Sequence, residues 1–247
     1  SSNTAGVEAV LKLLPFFSTL LGGWLSLRAE RWLHVIYGLC GGVMIGLIAF
    51  HLLPLVAVMG APQAFNVPVP YLMVVLAFLL FYFIEEVVGH DEISTGPIES
   101  YANPTAGILG GIVLVAYSFV DGLAIGLGLQ MSMMAGFAIV VAVIAQDFAD
   151  GSNVVALVNR HGGTHRQIWA LLLANAIAPV IGAVIGGAVH VSEGFLACYA
   201  GFFIGVLIFV SMHDIIPGSR ERTTALKTFC FVTIGIAFML LLRHFGE

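Results

Sequence analysis

Four aspartates, Asp121, Asp147, Asp150 and Asp214, stand inside stretches of sequence that are otherwise apolar. An ionised side chain within a hydrocarbon environment is costly, and such a residue is by default a functional-site hypothesis. No Lys or Arg lies at a comparable position in these stretches to neutralise the charge. The aspartates must therefore bind cations, face a water-filled path, or stay protonated and hydrogen-bonded between helices.

Two of these stretches share a pattern that indicates metal binding. Residues 117–122 read Y-S-F-V-D-G and residues 146–151 read Q-D-F-A-D-G. In both, oxygen-bearing side chains stand three and four residues before an Asp-Gly pair, and these spacings place side chains on one helical face. The pattern predicts two ligand sets, namely Asp121 with Ser118 or Tyr117, and Asp150 with Asp147 or Gln146.

The two stretches are predicted to run in opposite directions, as in an inverted repeat with its site near the membrane midplane. Carboxylates that face each other across antiparallel helices can hold one or two divalent cations. The glycine after each Asp indicates either close helix packing or a loosened, hydrated backbone.

The composition requires a membrane environment for these helices. Of the 247 residues, 60% are apolar and 9% are charged, whereas soluble domains carry roughly 25% charged residues. The net charge of −5 includes no basic block, so nucleic acid is not an expected partner. The three cysteines are far apart in sequence, and this spacing indicates neither a thiolate metal site nor a disulfide framework.

Eight segments have the length and apolarity of membrane-spanning helices, which need about 20 residues. We therefore predict an all-α, polytopic membrane protein with a single transporter domain over residues 1–247. The predicted spans are 7–27, 32–58, 71–88, 104–130, 133–158, 167–189, 194–217 and 224–242.

The basic residues predict the orientation of these spans. They concentrate in the loops after the first, fifth and seventh spans, while the loops 59–70, 131–132 and 190–193 contain none. Under the positive-inside rule, both termini are then extracytoplasmic and the protein is a multi-pass protein of the cell (cytoplasmic or inner) membrane.

Several runs resemble the ZIP (Zrt/Irt-like) divalent metal transporters. Residues 118–126, S-F-V-D-G-L-A-I-G, are similar to the fourth-helix signature H-N-F-x-D-G-L-A-I-G, and residues 146–151 are similar to the fifth-helix motif H/Q-[ND]-x-P-E-G. Residues 213–217, H-D-I-I-P, resemble the family's H-E-I-I-P, and residues 51–54 and 83–88 are similar to the ends of its second and third helices.

The resemblance implies a homodimer that carries metal into the cytoplasm through a binuclear midplane site. Zinc is the family's usual substrate, with cadmium, iron and manganese as further possibilities, and no organic cofactor is implied. By position, the resemblance assigns bridging roles to Asp121 and Asp150, a first subsite to Gln146 and Met44, and a second subsite to Ser118, Asp147 and Asp214.

The sequence also departs from the family pattern. Tyr117 and Ser118 replace the family's histidine and asparagine, and Ala149 and Asp150 replace its proline and glutamate. Losing the imidazole leaves mostly hard oxygen donors, which leaves open a shift toward iron or manganese, or a single bound ion.

Further residues are predicted to lie along a transport pathway. His51 and His213 stand near the ends of spans and could relay metal or protons, or could be structural. His90 and Asp91 belong to an acidic loop that either collects metal or is simply solvated. Tyr117 is also predicted to lie along the pathway, together with these four residues.

Three alternatives to a carrier stay open at this stage. A membrane metal sensor or scaffold would bind ions without moving them, and a channel would move them without a saturable step. An intramembrane metallohydrolase would need an activated water and a histidine-rich ligand set. The sequence contains no H-E-x-x-H motif and no evident Ser/His/Asp set, so we predict that the protein is not an enzyme.

Overall fold

The computed structural model describes residues 2–28, 30–59, 61–89, 104–221 and 223–246. Within these residues the chain forms eight long helices and one two-residue hairpin, β1 Gln63–Ala64 with β2 Val67–Pro68. The helices are α1 Ser2–Arg28, α2 Leu33–Val58, α3 Val69–Gly89, α4 Pro104–Met131, α5 Met133–Arg160, α6 His165–Ala188, α7 Glu193–Arg220 and α8 Ala225–Gly246.

Seven of these helices are long and apolar enough to cross a membrane. The eighth, α3, contains the shorter apolar stretch Val69–Ile84, which ends where Glu85 and Glu86 begin. The prediction of an all-α, multi-pass membrane protein is confirmed at this level, and lipid contact follows from it.

The helices pack in five main pairs: α4 with α6, α1 with α5, α2 with α8, α4 with α5, and α3 with α7. Glycines allow the closest approaches. A Cβ atom on Gly151 would collide with the backbone carbonyl of Thr19, and one on Gly122 would collide with that of Pro179. Small residues of this kind let helix backbones come together in lipid. The glycines of both Asp-Gly pairs are therefore packing residues, one of the two roles expected from the sequence.

Helix α5 lies at the centre of the protein. In its most apolar window 72% of residues are buried, against 33% in α4. Its first turn is capped by the Ser132 hydroxyl, which accepts a hydrogen bond from the Ala135 amide at 3.0 Å. Every residue from Ala145 to Ser152 is buried, so the whole Q-D-F-A-D-G run faces other helices rather than lipid.

Helices α2 and α7 each contain a five-residue π-helical segment near their final turns. These segments are Ile48–Leu52 and Ser211–Ile215, and a proline follows each of them, Pro54 and Pro217. Proline has no backbone N–H and clashes with the preceding turn, so the helix widens locally where it cannot continue regularly. The distorted segments carry His51 in α2 and His213 in α7.

Candidate metal centre

Helices α4 and α5 bring three carboxylates together. Asp121, Asp147 and Asp150 each offer an oxygen, and these oxygens lie within 4.8 Å of one another, with all three residues buried. Two oxygens on one calcium ion are separated by at most about 5 Å, twice the bond length. One divalent cation could therefore contact all three carboxylates after small adjustments.

Gln146 joins this cluster from α5. Its amide Nε2 donates a hydrogen bond of 2.7 Å to Asp121 Oδ2 across the α4–α5 interface. Helical spacing predicted that Gln146 lies beside Asp150, whereas its amide donates to Asp121 on the neighbouring helix. The amide holds one Asp121 oxygen in place and leaves its own Oε1 beside the carboxylates.

The cluster contains buried acceptor oxygens to which no described residue donates a hydrogen bond. There are five such atoms: Asp121 Oδ1, Gln146 Oε1, Asp147 Oδ1 and Oδ2, and Asp150 Oδ2. Among the described residues no Lys or Arg forms a salt bridge with these aspartates. A buried polar atom without a partner costs free energy, and buried charges are normally paired or bound to metal. A cation among these oxygens would remove both costs.

The cluster lies near the middle of the predicted membrane span. Asp147 is 14 residues after Met133 and 13 residues before Arg160, the two ends of α5. At 1.5 Å per residue these separations are about 21 and 20 Å. The carboxylates therefore stand at the depth where an uncompensated charge is most expensive.

A cavity of about 330 Å³ leads from the cluster to one end of the bundle. We call it the carboxylate cavity. Asp150 and Gln146 line its inner end and Arg160 lines its mouth. Its remaining lining residues are Gly110, Val113, Leu114, Tyr117, Asn153, Ala156, Leu157, Phe209, Val210 and Asp214.

A second cavity, of about 350 Å³, lies at the opposite end of α5. We call it the His51 cavity. It is lined by the π segment of α2, the start of α5 and the end of α8, including Ser132, Ala138 and Arg243. Among the described residues, the two cavities share no lining residue and no carboxylate lines the His51 cavity.

The position of Asp214 differs from the sequence-based expectation of a buried carboxylate. Its side chain is 43% exposed, and His213 Nδ1 lies 3.0 Å from its Oδ1. It lines the carboxylate cavity together with Asp150 instead of joining the cluster. The π segment near the end of α7 explains the difference, because a widened turn changes the direction in which successive side chains point.

Ser118 is buried as expected, but its hydroxyl donates to Asn175 Oδ1 of α6 at 3.0 Å. The Nδ2 of Asn175 has no partner. Sequence reasoning missed Asn175, although an amide in an otherwise apolar span was a visible signal. It also missed Thr19, which lies beside Asp147, and Tyr37, whose hydroxyl donates to Asn153 Oδ1 at 3.0 Å.

The remaining predicted residues are distributed over the protein. Met44 is completely buried in the hydrophobic core and does not line the carboxylate cavity. Tyr117 does line it, with its ring centroid 4.9 Å from that of Phe81. His213 stacks on Phe209 at 5.1 Å between ring centroids.

His90 and Asp91 lie outside the described residues.

No protein-family model matches the sequence, and no curated protein is significantly similar to it. The function must therefore be inferred from the geometry and chemistry of the site.

Proposed function

We propose that this protein transports a divalent transition-metal ion across the membrane through the site formed by Asp121, Asp147 and Asp150. The observation that carries the proposal is the set of five unpartnered oxygens on these residues and Gln146, all buried at mid-membrane depth. The ion would be of the class to which zinc, cadmium, iron and manganese belong, because carboxylate and amide oxygens bind such cations.

The two cavities support transport rather than static binding. The carboxylate cavity connects the cluster to one end of the bundle, and the His51 cavity opens at the other end without reaching it. Transporters place a midplane site so that it is open to one side at a time. A site with access from one side and a separate cavity toward the other fits a carrier that alternates between two states.

The basic residues supply the direction of transport. Arg160 lines the mouth of the carboxylate cavity, and Arg166 begins the next helix on the same side. By the positive-inside rule this is the cytoplasmic side. The His51 cavity then faces outward together with both chain termini, and metal would enter there and leave past Asp150.

The helix pairing supports an inverted repeat. In such a repeat, α1, α2 and α3 would correspond to α6, α7 and α8, and α4 would correspond to α5. Under this relation the pair α1–α5 corresponds to α4–α6, and the pair α2–α8 corresponds to α3–α7. The two π segments also correspond under this relation. Together with the motifs similar to those of ZIP transporters, this pairing supports a place in that family, which would also imply a homodimer in the cell membrane.

The test is metal uptake into liposomes that contain the purified protein. Zinc, cadmium, iron(II) and manganese would be offered separately to the wild type, to Asp121→Asn and to Asp150→Asn. Asparagine keeps the side-chain size and removes the charge. The control is Ser219→Ala, which removes a buried hydroxyl that donates to the His34 carbonyl at 2.7 Å and does not line the carboxylate cavity.

We expect uptake by the wild type and by Ser219→Ala, and none by the two aspartate variants. Uptake that survives in both aspartate variants would show that the ion takes another path. Binding that depends on these aspartates without any uptake would instead indicate a membrane metal sensor or scaffold.

A further inference from the structure

The donor atoms of the cluster narrow the class of ion that it can carry. We propose that the site is built for an oxygen-preferring divalent cation of the manganese type and gives zinc little of its usual advantage in affinity, a proposal that rests on the transport function above. The distinction matters because the two ions differ in the ligands and the geometry that they require.

Every unpartnered atom within the carboxylate cluster is an oxygen. Four belong to Asp121, Asp147 and Asp150, and the fifth is the Oε1 of Gln146. Carboxylate and carbonyl oxygens suit magnesium, calcium and manganese, whereas imidazole and thiolate suit zinc. The cluster has the donor set of a hard cation.

The described nitrogen and sulfur ligands lie elsewhere. The group of potential ligand atoms consists of the three aspartates alone, without a histidine or cysteine among the described residues. His213 is paired with Asp214, and Asp214 lines the carboxylate cavity whereas His213 does not. The thioether of Met44 is packed in the hydrophobic core. The one nitrogen in the cluster, Gln146 Nε2, donates to Asp121 and cannot bind a metal.

Burial argues against magnesium and calcium. Magnesium usually keeps several waters and binds through one or two carboxylates, whereas this site offers three carboxylates that are all buried. Calcium takes about six to eight oxygen ligands at 2.3–2.6 Å, which usually include waters and backbone carbonyls, whereas this site offers the oxygens of three buried carboxylates and one amide. A divalent transition metal of the manganese type accepts an all-oxygen ligand shell and loses its waters more readily than magnesium, so it fits this buried group of carboxylates.

Zinc binds more tightly than manganese to most sites, so the useful quantity is the ratio of the two affinities. An all-oxygen site keeps that ratio small, and a nitrogen ligand raises it. Tyr117 is the position at which to add a nitrogen. It lines the carboxylate cavity with Gln146 and Asp150, and it stands one helical turn before Asp121 on the same face.

The experiment measures competition between manganese and zinc for the purified protein in detergent. We expect the wild type to prefer zinc by less than about tenfold, a difference of about 1.4 kcal/mol. Tyr117→His should raise that preference by about tenfold or more, as changes around metal ligands commonly do. Tyr117→Phe keeps the ring and adds no nitrogen, so any change in its ratio measures the loss of the hydroxyl alone.

A wild-type preference for zinc above about tenfold would overturn the proposal. A ratio that is the same in the wild type and in Tyr117→His would overturn it too. If thermal melting shows that Tyr117→His does not fold, Gln146→His places a nitrogen within the cluster itself, and the same two outcomes apply.

Binding ratios are measured without flux, so they are independent of transport. A small ratio of zinc affinity to manganese affinity, without uptake in liposomes, would contradict transport and leave the proposed selectivity of the site intact. Uptake with a strong preference for zinc would contradict the selectivity and leave transport intact.

Discussion

The two cavities have nearly the same volume, about 330 and 350 Å³, yet they differ in what they reach. Asp150 and Gln146 belong both to the lining of the carboxylate cavity and to the cluster, whereas the described lining of the His51 cavity contains no residue of the cluster. For the proposed transport, the position of a cavity relative to the buried carboxylates therefore matters more than its volume.

Helix α5 contributes lining residues to both cavities, and breaking its seam with α1 should have the largest effect. In Gly151→Ala the new Cβ would collide with the backbone of α1 at Thr19, and backbone atoms cannot move aside as a flexible side chain can. Overpacking costs about 1–3 kcal/mol or more. We therefore expect a lower melting temperature and a lower yield of folded protein.

Gly6→Ala is the matched control for this substitution. Nothing lies within 4 Å of a Cβ at that position, and alanine is the better helix former. Thermal unfolding in detergent checks both variants. An unchanged melting temperature for Gly151→Ala would show that the close approach of α1 and α5 is not needed.

The second prediction compares a carboxylate within the cluster with one in the cavity wall. Asp147 is fully buried, and removing one partner of a buried charge pair costs about 3–5 kcal/mol. Asp147→Asn should therefore weaken metal binding by a hundredfold or more, converted at about 1.4 kcal/mol per factor of ten.

Asp214 should matter much less for affinity. Its side chain is 43% exposed, and an exposed ion pair contributes about 0–1 kcal/mol. Equilibrium binding of manganese and zinc to Asp214→Asn should change by less than about tenfold. If Asp147→Asn and Asp214→Asn lost metal affinity equally, Asp214 would bind the ion directly. The family resemblance implies such a role, because it assigns Asp214 to a second subsite.

The third prediction concerns the side from which each cavity can be reached. In a variant with Cys40, Cys198 and Cys230 replaced by serine, single cysteines at Ala156 and Leu55 would report on the carboxylate cavity and the His51 cavity. A membrane-impermeant thiol reagent should label Leu55→Cys from outside the cell and Ala156→Cys only after the cytoplasmic face is exposed. Labelling of both from the same side would contradict the orientation derived from the basic residues.

Local features of the site were predictable from the sequence, because helical spacing is a property of a single element. The repeated Asp-Gly pattern identified Asp121, Asp147 and Asp150. Contacts between helices were not predictable in this way, since they depend on how close two backbones approach. Gln146 therefore bonds to Asp121 on α4 rather than lying only beside its own helical neighbour.

The eight helices and their approximate bounds follow from apolar length, which the membrane imposes directly. The π segment of α7 was not predictable, because proline indicates a distortion without giving its form. As a result Asp214 was expected among buried carboxylates. Neutral side chains such as Asn175 and Thr19 were not predictable from helical spacing, because no charged residue stands three or four positions away from them in their own helices.

The smallest expected effect is at His51. Because the His51 cavity does not reach the cluster, His51→Ala should change the affinity for metal by less than about twofold, or roughly 0.4 kcal/mol. The same variant should still slow uptake if ions pass this cavity on their way in, so affinity and uptake rate are measured on the same preparation. A tenfold loss of affinity would mean that the His51 cavity is connected to the cluster, and the contrast between the two cavities would then have to be abandoned.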